Sequence, residues 1–418
     1  MNACGASRGL RRRRRAVCAL FGLPGLAISS WVARTPDIRD LVRASTEQMG
    51  FVLFGVSVGS MAGILASAAL LRRFGARGVT TAGMGCIVVS MPVVGMGAEL
   101  GAGVVVAVGL GLFGLGMGGS EIAINAEGAA IERAAGTSVL PAMHGCFSLG
   151  TVVGALAGVA CNVGDVPVVA HLVVVGVVGA PVLLSQARHL SPDTGRSARG
   201  TGRVGSLRPG ARPWRDRRVV MIGVVVLAMA LAEGAATDWL PLVMVDGHGM
   251  SAALGSFVFA AFAMAMTVGR FGGGWFLDRY GRASVLRSSA CAAVVGIGCI
   301  ALVDDRLVAS AGVLLWGLGL SLGFPVAVSA AGDTSEGAAA RVSFVTTMGY
   351  LAFLVGPPAL GVIGEDFGLR VALLVPLGLV LVAAFLAPAL APEPGLDPVL
   401  DPVLDPVLDP GRASGSSL

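Results

Sequence analysis

Apolar runs of about twenty residues, repeated along nearly the whole chain, constrain this sequence most. They lie at about 16–34, 48–71, 79–98, 101–124, 141–163, 166–187, 218–243, 252–276, 284–303, 307–330, 342–363 and 370–391. A helix crossing a hydrocarbon core needs roughly 20 such residues. The 418-residue chain is 55% hydrophobic and only 13% charged, with a mean hydropathy of +0.82. A soluble domain carries about 25% charged residues, so this composition leaves too little polar surface to cover a water-soluble globule. The 63 glycines fit the same reading, because small residues let helices approach closely in lipid. Gly55, Gly59 and Gly63 form one such ridge, and Gly150, Gly154 and Gly158 another.

The basic residues set the topology. There is no lysine, and the net charge of +5 comes from arginines placed by side of the membrane rather than from an affinity for nucleic acid. A basic start, Arg8 and Arg11 to Arg15, precedes the first run and reads as the anchor of an uncleaved first helix. With the N-terminus inside, 24 arginines fall on the cytoplasmic side and five outside, leaving Arg270 within a run. This bias predicts both termini in the cytoplasm of a bacterial inner (plasma) membrane. The seven cysteines are scattered, form no C-x-x-C pair, and read as small apolar fillers.

The chain divides into an N-terminal six-helix half (1–187), a polar linker (188–217), a C-terminal six-helix half (218–391) and a tail (392–418) with a repeated L-D-P-V pattern that forbids helix and strand ladders. The halves echo each other. Gly114-Leu115-Gly116-Met117-Gly118 returns as Gly317-Leu318-Gly319-Leu320-Ser321, and Arg73-Phe74-Gly75-Ala76-Arg77 returns near Asp278-Arg279-Tyr280-Gly281-Arg282. The predicted fold is an all-α membrane protein of twelve transmembrane helices, in two six-helix bundles related by a pseudo-two-fold axis along the membrane normal.

Gly274-Trp275-Phe276-Leu277-Asp278-Arg279-Tyr280-Gly281-Arg282 resembles the G-x-x-x-D-R-x-G-R loop of the major facilitator superfamily, at the same place between helices eight and nine. The resemblance implies a gating role for Gly274, Asp278, Arg279, Gly281 and Arg282, which would latch the halves. In the first half the aspartate slot holds Arg72, which reads as a plain basic turn. The stretch from Gly116 to Asn125 resembles G-x-G-x-x-E-x-A-x-N of the fucose permease branch. That resemblance implies proton coupling at Glu121, with Asn125 nearby in the cavity.

Ionisable groups inside a membrane span are costly and are functional candidates. Glu121 and Asn125 share one helix face. Glu233 lies near the middle of span seven with Thr237 on its face, and Pro241 is expected to break the outer end of that helix. His144, one turn before Ser148, suits a proton relay. Glu121, Glu233 and His144 are therefore the proton-coupling candidates. Ser30, Asn125, Ser148, Thr237, Asp238, Trp239 and Tyr350 are the substrate-cavity candidates, with Trp239 equally suited to an interfacial anchor. Glu127 and Glu132 read as loop or interface charges.

The sequence supports a secondary transporter moving a small solute by alternating access, with protons and the bilayer as its other partners, acting as a monomer without metal or cofactor. A proton symporter of a sugar-like or other small polar compound leads. Proton-driven efflux of an amphipathic compound is the alternative. It is weakened because Ala155 stands where drug antiporters carry the proline of G-x-x-x-G-P. A non-transporting sensor or scaffold is the third reading. Catalysis has no support, and no Walker-type phosphate loop is present.

Overall fold

The computed structural model describes residues 3–135, 140–196, 213–333 and 338–391. Among them the chain is helical and forms no strand. The first half comprises α1 (Ala3–Val32), a short α2 (Thr35–Val42), α3 (Thr46–Glu99), α4 (Gly103–Ala135), α5 (Leu140–Val163) and α6 (Val168–Ala187). The second half comprises α7 (Arg217–Leu242), α8 (Ala252–Tyr280), α9 (Arg282–Leu302), α10 (Arg306–Leu320), α11 (Gly323–Ala331), α12 (Ala338–Phe367), α13 (Leu369–Ala372) and α14 (Leu374–Leu386).

Eleven of the described helical stretches are long and apolar enough to span a bilayer, and one of them accounts for two crossings. At 1.5 Å per residue, 54-residue α3 would run about 80 Å, far more than the roughly 30 Å hydrocarbon core. It reverses at Gly75, whose φ of 72° and ψ of 170° are non-helical. Twelve crossings result, in two six-helix bundles. Near the membrane surfaces, side chains supply the backbone acceptors that helix starts lack. Ser45 and Gln48 form a reciprocal capping box on α3. Asp216 accepts from Arg218 N, and Asp305 accepts from Leu307 N.

Several boundaries depart from the sequence reading. The basic start is already part of α1. Span ten is two helices, parted at Ser321 and Leu322. Pro241 does not end its helix: α7 continues to Leu242 and widens into a π-helical turn, Val243–Gly247. The connection between α8 and α9 is a single residue, Gly281, at φ 75°. Of the predicted linker, residues 188–196 pack on the first half and Pro213–Arg215 forms one 3₁₀ turn. Residues 197–212 and the L-D-P-V tail lie outside the described residues.

Glycine seams hold each bundle. A Cβ on Gly59 would overlap the carbonyl oxygen of Gly111 on α4, and one on Gly154 would overlap the carbonyl of Leu26 on α1. In the second half Gly296 and Gly312 bring α9 and α10 into the same backbone contact. Buried aromatic pairs fill the wider gaps: Trp31 meets Phe113 edge-on with centroids 6.2 Å apart, and Trp316 meets Phe262 at 5.7 Å.

The two bundles touch through α3 with α12 and α5 with α8. On the face opposite the N-terminus, Arg39 of α2 pairs with Asp246 of the π turn. Glu47 N donates to Glu365 Oε2 at 3.2 Å, and Asn162 Nδ2 donates to Ser256 Oγ at 2.7 Å. Deeper in, Ser57 Oγ donates to the Phe353 carbonyl at 2.6 Å.

Gly59→Ala is expected to destabilise the purified protein by about 1–3 kcal/mol, the usual cost of forcing volume into a packed site. Gly85→Ala, where nothing lies within 4 Å of the added methyl, leaves the thermal midpoint unchanged or raises it. Thermal unfolding of the two variants in one detergent checks the contrast.

Candidate functional site

The seam between α3 and α4 fixes the rotation of α4, and with it the direction of Glu121. A Cβ on Gly63 would lie 2.6 Å from Gly119 N, so the helix cannot turn without a clash. Glu121 is exposed on its face of α4. Asn125 Nδ2 donates back to the Glu121 carbonyl at 2.9 Å, so the two share a face. The Tyr350 hydroxyl of α12 lies within the electrostatic reach of the Glu121 carboxylate.

Glu233 is not free. Arg270 of α8 donates from Nη2 to Glu233 Oε1 at 3.0 Å, and both side chains remain partly exposed. Thr237 turns its hydroxyl onto the Glu233 carbonyl at 3.0 Å. Arg270 also lies within electrostatic reach of His144, which packs edge-on against Phe21 with centroids 5.0 Å apart. Glu233, Arg270 and His144 therefore form one polar group drawn from α7, α8 and α5, and Glu121 and Tyr350 a second drawn from α4 and α12. Arg270 was not among the candidates from sequence. The signal was present, since it is the one arginine that fits neither side of the membrane.

Other candidates sit differently. Asp238 is half-buried, one turn from Gly234. Ser30 is fully buried and donates to the Leu26 carbonyl at 2.7 Å. Ser148 and Trp239 are also buried in this state, Trp239 beneath the contact of Gly50 with Gly361.

In the loop predicted to gate, Asp278 and Arg279 are exposed, with no ion pair between them among the described residues. Gly274 has open space on its Cβ side. Arg282 instead pairs with Asp333, at the end of α11. Asp333 also takes Arg218, from the start of α7, at 3.3 Å. Asp333 went unread in the sequence.

The first half holds the counterpart. Glu127 is fully buried, not a loop charge, and its Oε1 accepts from Arg13 Nε at 3.0 Å and Nη2 at 2.6 Å. In each half a carboxylate at the fourth span's end therefore receives an arginine from the first helix. The third partner differs. Ser191 N, just past α6, donates to Glu127 Oε1 at 2.9 Å, and the following residues bind the α3 reversal through Ala76 N to the Thr194 carbonyl at 2.8 Å. A strap of main chain thus takes the place that Arg282 fills in the second half.

A sequence pattern described as Major Facilitator Superfamily matches residues 16–348. An uncharacterized MFS-type transporter of Yersinia pestis is 30% identical over 357 residues, covering 84% of this chain and 89% of the relative. A crystal structure of the nucleoside transporter NupG superposes with a TM-score of 0.73 at 13% identity, covering 90% of this chain and 99% of that one. The E. coli fucose:proton symporter FucP superposes at 0.62 with 18% identity, covering 91% and 98%.

Removing the Glu127 carboxylate strands a largely buried arginine and the Ser191 amide. Glu127→Ala is expected to lower stability by about 3 kcal/mol, as for other broken buried pairs. Glu127→Gln, which keeps an acceptor for Ser191, loses less. Chemical unfolding of the two variants distinguishes them.

Proposed function

Because the chain belongs to the major facilitator superfamily, and is a membrane transporter rather than an enzyme, we propose that it couples proton movement to uptake of a small polar solute. The carrying observation is the contrast between two intramembrane acids. Glu233 is neutralised by Arg270, whereas Glu121 has no ion-pair partner among the described residues. An unpaired charge away from bulk water is expensive, and taking up a proton removes that cost. Glu121 is thus the proton site, and Tyr350, on the opposite half, carries its state across the bundle interface.

The Glu233–Arg270 pair is the second element. A solute that competes for Arg270 frees Glu233, so binding and protonation bias the same helices. Asn125, Thr237 and Asp238 supply hydrogen-bonding groups that suit a hydroxyl-rich compound. Two structural relatives, a nucleoside transporter and a fucose:proton symporter, agree with that chemistry. The arginine bias supports an inner membrane with both termini in the cytoplasm. On that orientation the Arg39–Asp246 and Glu47–Glu365 contacts form the closed outer gate, and the loop at Asp278 lies at the cytoplasmic mouth.

Two experiments test the reading. One pH unit equals 1.36 kcal/mol, so one coupled proton sustains about tenfold accumulation per unit. In proteoliposomes screened against nucleosides, sugars and polyols, Glu121→Gln is expected to abolish that accumulation while exchange of labelled for unlabelled solute persists. Normal accumulation by Glu121→Gln sinks the coupling role. For the gate, Arg39→Ala is expected to raise hydrogen–deuterium exchange at residues 46–52 and 359–366, and unchanged protection there excludes Arg39 as a latch.

A further inference from the structure

Among the described residues of the basic start, only Arg13 takes part in the Glu127 clamp. Arg12 and Arg15, three residues apart and so on one side of α1, face the end of α6. With Gln186, Arg188 and His189 they line a cavity of about 310 Å³ whose wall, among the described residues, holds no acidic residue. Arg12 and Arg15 are exposed, and among the described residues neither has an ion pair. Arg188 donates from Nε to the Ser185 carbonyl at 3.0 Å, which anchors its guanidinium at the helix end and leaves the terminal nitrogens to the cavity.

The position of this cavity follows from helix length. The 30 residues of α1 extend about 45 Å, so its basic turns stand beyond the roughly 30 Å hydrocarbon layer, at headgroup level. Directly below, α6 presents an unbroken apolar stripe. Val174, Val177, Val178 and Leu184 are 57%, 65%, 51% and 72% exposed, at the spacing of one helix face. Arg188 lies four residues after Leu184, so the stripe ends at the cavity.

We propose that this cavity binds the phosphate of an anionic phospholipid, with an acyl chain lying along the α6 stripe. Guanidinium groups match phosphate oxygens in pairs, and three of them with one imidazole converge here without a competing carboxylate. Basic pockets between helices at the membrane surface are suited to such headgroups. A free phosphate shares the headgroup chemistry, but it has no use for the stripe. The site is separate from the two central polar groups and does not depend on which solute is carried.

Full-length protein in detergent would be titrated with phosphatidylglycerol, phosphatidylethanolamine and inorganic phosphate, with bound lipid read by native mass spectrometry. Saturable binding of phosphatidylglycerol is expected. At a contribution of about 1 kcal/mol per cation, the Arg12→Gln/Arg15→Gln/Arg188→Gln variant should bind roughly a hundredfold more weakly. If that variant does not fold, Arg12→Gln and Arg188→Gln singly should each weaken binding about fivefold. A same-charge control, Arg72→Gln/Arg73→Gln/Arg287→Gln, should bind as the unaltered protein does. Equal loss in the control, equal affinity for phosphatidylethanolamine, or full displacement by millimolar inorganic phosphate would each overturn the assignment.

Discussion

Backbone contact between helices is the constraint on which the rest of this structure depends. Hydrocarbon offers no partner for a main-chain donor, so each span satisfies its own backbone as a helix. It also offers no hydrophobic gain for bringing helices together, and association rests on close packing. Glycine makes that contact reachable at Gly59 on α3, Gly154 on α5 and Gly296 on α9, where a methyl would collide with the neighbouring main chain. These seams are not interchangeable surfaces. The one between α3 and α4 fixes how α4 is rotated, and so where Glu121 points. The one between α1 and α5 brings Phe21 against His144.

Against this frame the charges sort by the cost of placing them. Where water reaches a helix end, carboxylates cap backbone amides or bind arginines, as Asp216, Asp305 and Asp333 do. Glu127 is fully buried, and it is tolerated because Arg13 and a main-chain amide occupy the same oxygen. Within the span region the pair of Glu233 with Arg270 joins two helices of one half. The contacts of Arg39 with Asp246 and of Glu47 with Glu365 join the two halves on the face opposite the N-terminus.

The repeat also shows how the halves have diverged under one geometric demand. Each needs the reversal between its second and third spans held to the fourth. In the second half an arginine after Gly281 reaches Asp333 directly. In the first, Gly75 lies against the strap that follows α6, and the strap carries the connection to Glu127. At the end of the second bundle the segment past α14 instead holds Arg218, through the Ala389 and Ala391 carbonyls.

The sequence by itself determined the number of crossings, the two-fold repeat and the short list of costly intramembrane acids. Those follow from local composition, because a run of some twenty apolar residues has few other fates. Glu121 and Glu233 were legible for that reason, and Arg270 should have been read with them. Tertiary structure alone decided the pairings. Arg270 with Glu233, Arg282 with Asp333, Arg13 with Glu127 and Arg39 with Asp246 lie from 37 to 207 residues apart, and no local pattern selects between partners at that separation. Burial had the same origin. Ser30 and Trp239 look like cavity residues in a one-dimensional reading, but the rotation of their helices against neighbours turns both into the packed interior. Periodicity says which residues share a face, whereas only the packed glycine seams say what that face meets.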